Sequence, residues 1–245
     1  GTYAKGTHNI IPISACMIED VQASAIIKTV TELIKSFKLW VYNEDTQRGL
    51  MRHILIRKGM STKQIMVVLV TSSPEFPHKN NFVEKLLEIH PEITTIVQNV
   101  NIKQTTMVLG ERNRPLYGPG YIEDVLCGLR FRISPGSFYQ VNSEQTQVLY
   151  KKVIEAAGLT GKETIIDAYC GIGTIGMCMS QKSGRVIGIE LNPKAVKDAK
   201  ANARRNGICD IHFIAADAAA YMSLMAESGQ KVDIIVLDPP RSGCT

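Results

Sequence analysis

The 245-residue sequence predicts an α/β fold, a doubly wound parallel sheet in its C-terminal part, preceded by an α+β part with antiparallel strands. Three observations carry this reading. From Thr164 onward apolar strand segments and helical segments alternate strictly, which is the pattern of a parallel sheet with crossover helices. Those strands are continuous apolar runs, as expected where helices cover both faces. The stretch Ile165–Gly176 runs a short apolar strand into Gly171, Gly173 and Gly176, a G-x-G-x-x-G turn, and then into a helix.

Taken in order, residues 20–38 place Ala25, Ile26, Val30, Leu33, Ile34 and Phe37 at helical spacing behind Glu19 and Asp20. Residues 51–57 and 64–71 read as strands joined in a hairpin around Gly59. A helix at about 79–89 precedes a strand at about 93–100, and Thr105–Leu109 reads as a further strand. Pro115, Gly118, Pro119 and Gly120 punctuate the chain, and Tyr121–Val125 with Leu129–Ser134 form a hairpin across Cys127-Gly128. A helix over about 143–157 carries Val148, Leu149, Val153 and Ile154 on one face and ends at Gly158. The alternating region then predicts strands at 164–167, 185–190, 211–216 and 232–238, with helices at 174–182, 193–206 and 218–227. These segments divide the chain into a domain over 1–118, a hairpin connection over 119–136 and a second domain over 137–245, which stops after its fourth strand.

Composition excludes several classes. An apolar fraction of 44% is ordinary for a globular protein, and no apolar run approaches the roughly 18 residues of a membrane span. The opening Gly1–Lys5 lacks the apolar core of a secretory signal, so a cytoplasmic location is the expectation; a monomer is expected as well. The formal charge of +5 is a mild basic excess, compatible with a polyanionic partner and common without one. Six cysteines, at 16, 127, 170, 178, 209 and 244, form neither C-x-x-C pairs nor a regular framework, which argues against disulfides and a self-contained zinc site. Arg48, Arg52, Arg57 and Lys58 cluster in the first hairpin, either to meet phosphates or as a solvated sheet face.

Four acids close four successive strands: Asp167, Glu190, Asp217 and Asp238. Ligands of doubly wound sheets bind outside the carboxyl ends of the strands, so these acids converge on one crevice. Glu190 stands 23 residues after Asp167, where an acid accepts hydrogen bonds from ribose hydroxyls; a helix-capping or solvent carboxylate is the alternative. Asp217 falls either at the polar edge of an adenine or at a plain helix N-cap. Asp167 lies four residues before Gly171 with Tyr169 between, so a pyrophosphate at this turn would meet a carboxylate. A cationic ligand suits that acid better. S-adenosyl-L-methionine, with an ammonium, a sulfonium and a ribose diol, is preferred to NAD.

The segments Asp167-Ala-Tyr-Cys-Gly-Ile-Gly-Thr-Ile-Gly176, Glu190, Asp238-Pro-Pro-Arg241 and Ser137-Phe-Tyr-Gln-Val-Asn142 together resemble the RNA uracil-C5 methyltransferases, which form 5-methyluridine. Gly6-Thr7-His8 and Leu50-Met-Arg-His-Ile54 resemble that family's middle domain, so the likeness covers most of the chain. The resemblance implies an RNA-facing α+β middle domain followed by an incomplete class I, Rossmann-like methyltransferase domain. It implies cofactor contacts from Gln140, Asp167, Tyr169, Gly171, Glu190 and Asp238, with Asp217 near the adenine. Phe138, Asp238 and Arg241 would face a uracil flipped from its stack, with Phe138 as plain core packing the alternative. The subgroup acting on large-subunit (23S) ribosomal RNA is closer than the transfer RNA subgroup.

In that family a cysteine thiolate adds to C6 and a glutamate removes the C5 proton, both from positions beyond Asp-Pro-Pro-Arg. The resemblance therefore implies that both lie after Thr245 and that this stretch alone does not turn over. Cys244 sits in an Arg-Ser-Gly-Cys loop where the family does not place its nucleophile, and reads as a bystander. In iron-sulfur members a 4Fe-4S cluster is held by three N-terminal cysteines and a fourth that matches Cys16 in Ala15-Cys16-Met17; no other such cysteine precedes it here, so the resemblance implies either a cluster in the full-length protein with its other three ligands ahead of this stretch, or a vestigial thiol. Two other function classes stay open. An amino-group nucleic-acid methyltransferase uses an aromatic where Arg241 stands, and a non-catalytic RNA-binding fragment would bind RNA without cofactor.

Overall fold

The computed structural model describes residues 2–7, 10, 11, 13, 16–241 and 243; of Thr2 and Tyr3 only the backbone is described, and Cys244 lies outside this set. The chain forms two compact units, Gly1–Gly59 with Lys63–Ile122, and Met60–Thr62 with Glu123–Thr245. None of the described helices is long and apolar enough to cross a membrane.

In the first unit a short antiparallel pair, β1 (Thr2–Tyr3) and β2 (Ile10–Ile11), precedes α1 (Val21–Ser36). Asp20 caps α1 by accepting from the backbone of Gln22 and Ala23 at 3.0 and 3.1 Å, and Ile26, Val30, Leu33 and Ile34 bury one face. A four-stranded sheet follows: β3 (Met51–Lys58), β4 (Ile65–Thr71), β5 (Ile93–Val100) and β6 (Arg112–Tyr117), in that spatial order. β3 and β4 form the hairpin around Gly59, but β4 and β5 are parallel, because α2 (Lys79–Ile89) supplies the crossover that returns the chain to the same end. β4 is apolar and buried on both faces, at the centre of a core shared with Ile26, Phe82 and Leu86.

Two expectations fail here. Thr105–Leu109 is not a strand, and β5 pairs with β6 instead. Side chains take up the backbone of that segment: Asn101 Nδ2 donates to the carbonyls of Met107 and Val108 at 2.8 and 3.3 Å, and Asn99 exchanges bonds with Gly110 at 3.0 and 2.7 Å. Pro115, read as a break, sits inside β6, which tolerates the missing N–H as the sheet edge.

Two of the four basic residues of the first hairpin are paired within the protein, while Arg48 is exposed. The Arg52 side chain is 1% exposed, donates to the carbonyls of Asn101 and Lys103 at 2.9 and 2.8 Å, pairs with Glu44 at 3.1 Å and lies 4.6 Å from the Tyr42 ring centre. Lys58 pairs with Asp20 at 2.7 Å. Neither is the solvated or phosphate-facing cation the sequence suggested.

In the second unit β7 (Ile122–Leu126) and β8 (Leu129–Ile133) turn over Cys127 and Gly128, whose φ values of 52° and 78° are those of a tight two-residue hairpin loop. α3 (Ser143–Ala157) is capped by Asn142 and ends on Gly158 at φ 57°. Its buried face is Ser143, Thr146 and Tyr150; Val148 and Leu149, expected inside, are more than half exposed at 52% and 57%. The alternating region folds as β9 (Thr164–Ala168), α4 (Thr174–Ser180), β10 (Arg185–Glu190), α5 (Pro193–Arg205), β11 (Ile211–Ala215), α6 (Ala218–Glu227) and β12 (Ile234–Leu237). The strands are parallel in the order β11-β10-β9-β12. Successive strand residues alternate between two apolar clusters, Ile165 and Val186 in one and Ile166 and Ile187 in the other, so helices cover both faces. The chain builds outward from β9 first on one side and then on the other, which makes the β9/β12 boundary the switch point where ligands of such sheets bind.

Candidate functional site

At that switch point β9 delivers Asp167 into the turn that starts α4. Gly173 opens the helix at φ 81°, a conformation costly for a residue with a Cβ; a Cβ there would also come within 2.5 Å of the Phe213 ring. Gly176 serves a different purpose, because its N–H donates to Asp167 Oδ2 at 2.8 Å and an added Cβ would lie 2.8 Å from that same oxygen. The third glycine of the motif thus lets the helix touch the carboxylate.

A crevice over this turn is lined by Phe138, Tyr139, Gln140, Tyr150, Asp167, Tyr169, Cys170, Gly171, Ile172, Thr174, Ile175 and Asp238. Six of the residues singled out from sequence are therefore brought together: Phe138, Gln140, Asp167, Tyr169, Gly171 and Asp238. Phe138 is 68% exposed, which removes the core-packing alternative. Of the four strand-end acids expected to converge, only Asp167 and Asp238 line the crevice; Glu190 is outside the lining and reaches it through Gly171, its two oxygens accepting from the backbone of Gly171 at 3.0 Å and Asn192 at 2.7 Å. Asp217 acts as the N-cap of α6, accepting from Ala220 N at 2.9 Å, and is not among the lining residues. Arg241 is exposed and also outside the lining. Cys16 is exposed, and among the described residues no group of three His, Cys, Asp or Glu side chains could hold a metal ion. One thiol does not hold a 4Fe-4S cluster, so the described residues alone do not form that site; a cluster would take its three other ligands from outside them.

Asp167 dominates the electrostatics. Burial pushes its carboxyl up to about 7, and the negative charges of Asp238 and Glu190 act in the same direction, against the Gly176 N–H. Its Oδ1 is buried without a hydrogen-bond partner among the described residues. An orphaned buried acceptor among other acids calls for a donor carrying positive charge. The ammonium of S-adenosyl-L-methionine is such a donor, so the residues present fit that cofactor.

Sequence reasoning missed Tyr150 and Thr174, whose hydroxyls bond each other at 2.8 Å in the wall of the crevice. The spacing of Ser143, Thr146 and Tyr150 on α3 was the available signal, obscured by the more apolar Val148 and Leu149. Cys170 also lines the crevice, but burial drives its thiol far above the ordinary range, which keeps it protonated and unsuited to nucleophilic attack.

Residues 159–241 match a methyltransferase domain. The chain is 44% identical over 244 residues to an uncharacterized RNA methyltransferase of Halalkalibacterium halodurans and 42% identical to another of Clostridium tetani, covering all of this chain and 53% of each relative. The chain thus spans about half the length of the curated relatives it matches. Among solved structures, it is similar to the Pyrococcus abyssi tRNA (uracil-54, C5)-methyltransferase in complex with S-adenosyl-L-homocysteine, with a TM-score of 0.78, 28% identity, and coverage of 97% of this chain and 56% of that one. A SAM-dependent methyltransferase from Agrobacterium tumefaciens shares the fold at a TM-score of 0.50 and 18% identity, over 77% of this chain and 60% of its own. The second unit has the class I methyltransferase fold, and the crevice of its methyltransferase domain lies at the position that fold reserves for a ligand.

Proposed function

We propose that this chain is the cofactor- and base-binding part of an enzyme that transfers a methyl group from S-adenosyl-L-methionine to C5 of a uridine in RNA. The observation that carries the reading is the buried, unpartnered Oδ1 of Asp167, a residue that lines a crevice together with Gln140, Tyr169 and Asp238. In this reading Asp167 and Gln140 hold the amino-acid end of the cofactor, Tyr169 and Gly171 shape its seat and Glu190 receives the ribose hydroxyls, while Asp217 is left as the N-cap of α6. The bound cofactor supplies the electrophilic methyl group.

Phe138 stacks against the target uracil, Asp238 reads its polar edge and Arg241 orients it or meets a phosphate. No residue of this chain is assigned the covalent step. Large-subunit ribosomal RNA is the favoured substrate, on the resemblance of the sequence motifs. The likeness to the P. abyssi tRNA (uracil-54, C5)-methyltransferase supports transfer RNA as the second reading.

The test is methylation of in vitro transcribed 23S ribosomal RNA and transfer RNA by the full-length protein, with nucleosides identified by mass spectrometry. 5-Methyluridine from one RNA selects between the two substrates. No transfer, or a methyl group on an exocyclic amine, would sink the proposal.

A further inference from the structure

The segment Ser137–Asn142 leads into α3 and contributes Phe138 and Gln140 to the crevice. Three of its residues are tied down. Ser137 is 5% exposed, and its Oγ donates to Asp198 Oδ2 at 2.9 Å while accepting from the Ser134 N–H at 3.2 Å. The Tyr139 hydroxyl donates to Asp124 Oδ2 at 3.3 Å, and Asn142 caps α3 through Gln145 N at 3.1 Å.

Asp198 is the first member of a stripe on α5. Four residues on, Asn202 accepts from the N–H of Arg132 at 2.8 Å and donates to its carbonyl at 3.3 Å. Four further on, Asn206 treats Arg130 likewise, at 2.8 and 2.7 Å. Residues spaced by four share a helix face, so one face of α5 acts as an extra ladder partner for β8 and its next contact is Ser137.

We propose that Asp198 is a positioning residue for the methyl-transfer site. It acts through Ser137 to fix the backbone that presents Phe138 and Gln140, and touches neither cofactor nor substrate itself. The inference rests on the reading that Gln140 contacts the cofactor. A surface acid with no such role would leave ligand affinity alone, since Asp198 is only partly buried.

The experiment is a double-mutant cycle on S-adenosyl-L-homocysteine affinity of the 245-residue chain, by calorimetry, with thermal midpoints recorded alongside. Asp198→Ala and Ser137→Ala are each expected to weaken binding about fivefold, the worth of one hydrogen bond, and the double variant by no more than either single one. Asp198→Asn keeps an acceptor for Ser137 Oγ and is expected to bind within about twofold of the parent. Undiminished affinity in Asp198→Ala, additive losses in the double variant, or an equal loss in Asp198→Asn would each overturn the inference. Gln140→Ala separates the two levels of the argument. If it weakens binding and Asp198→Ala does not, the positioning role alone fails; if Gln140→Ala has no effect, the cofactor contact of Gln140 fails and the inference with it.

Discussion

The N–H of Gly176 donates to Asp167 Oδ2 at 2.8 Å, while the other oxygen of the same carboxylate is buried with no protein donor among the described residues. One half of the side chain ties strand β9 to helix α4, and the other half is the acceptor that the proposed function assigns to the cofactor.

Gly176→Ala puts a methyl group 2.8 Å from Asp167 Oδ2 and 3.2 Å from Val186 Cγ1. Overpacking of this kind costs about 1–3 kcal/mol, against up to about 1 kcal/mol gained in helix propensity. A net loss of about 1 kcal/mol in urea denaturation is expected, with weaker S-adenosyl-L-homocysteine binding. Unchanged stability would mean that helix α4 moves freely away from the strand.

The raised carboxyl of Asp167 predicts a pH dependence. Between the unfolded value of 3.8 and about 7 the folded chain holds a proton that the unfolded chain has lost. Stability from this group is therefore complete below about pH 4 and is lost as pH rises through 7, at no more than about 1.4 kcal/mol per pH unit. Asp167→Asn should flatten that slope in thermal melts from pH 5 to 8. Binding of a ligand ammonium favours the carboxylate, so calorimetry near pH 6.5 in buffers of different ionisation enthalpy should register proton release, absent in Asp167→Asn.

Arg52 contributes to stability and not to the site. Its 1% exposed side chain holds the carbonyls of Asn101 and Lys103 and pairs with Glu44. Arg52→Ala leaves those acceptors and the Glu44 carboxylate unpaired, at a cost of about 3 kcal/mol in denaturant titration. Ligand affinity of the still-folded variant is expected to match the parent, and a selective loss of binding would contradict this assignment.

Phe138 predicts the opposite pattern. At 68% exposure it adds little to the core, so Phe138→Ala should change stability by less than about 0.5 kcal/mol. Stacking on a base is worth about 1–3 kcal/mol, so 5-methyluridine formation by the full-length protein should fall by about 10- to 100-fold. Equal rates for variant and parent would remove Phe138 from the base-binding surface.

The sequence by itself determined the alternating α/β half of this protein, because strand and helix periods, glycine turns and strand-end acids are local signals that survive without knowledge of partners. Asp167, Tyr169, Gly171 and Asp238 were legible for that reason: parallel strands place their carboxyl ends on one edge, and the crevice follows from topology. What only the tertiary structure decided concerns groups whose partners lie far along the chain. Asn99 and Asn101 take up the backbone of the 105–110 segment and leave the sheet edge to the Pro115 strand. Arg52 is buried against distant carbonyls and Lys58 pairs with the α1 cap Asp20, partners that lie far along the chain. α3 buries Tyr150 in preference to Val148 and Leu149, since the face a helix buries depends on what packs against it and not on its own apolarity alone. Ser137 and Asp198 meet across 61 residues, a bond that no periodicity encodes and that only the packing of α5 beside β8 creates.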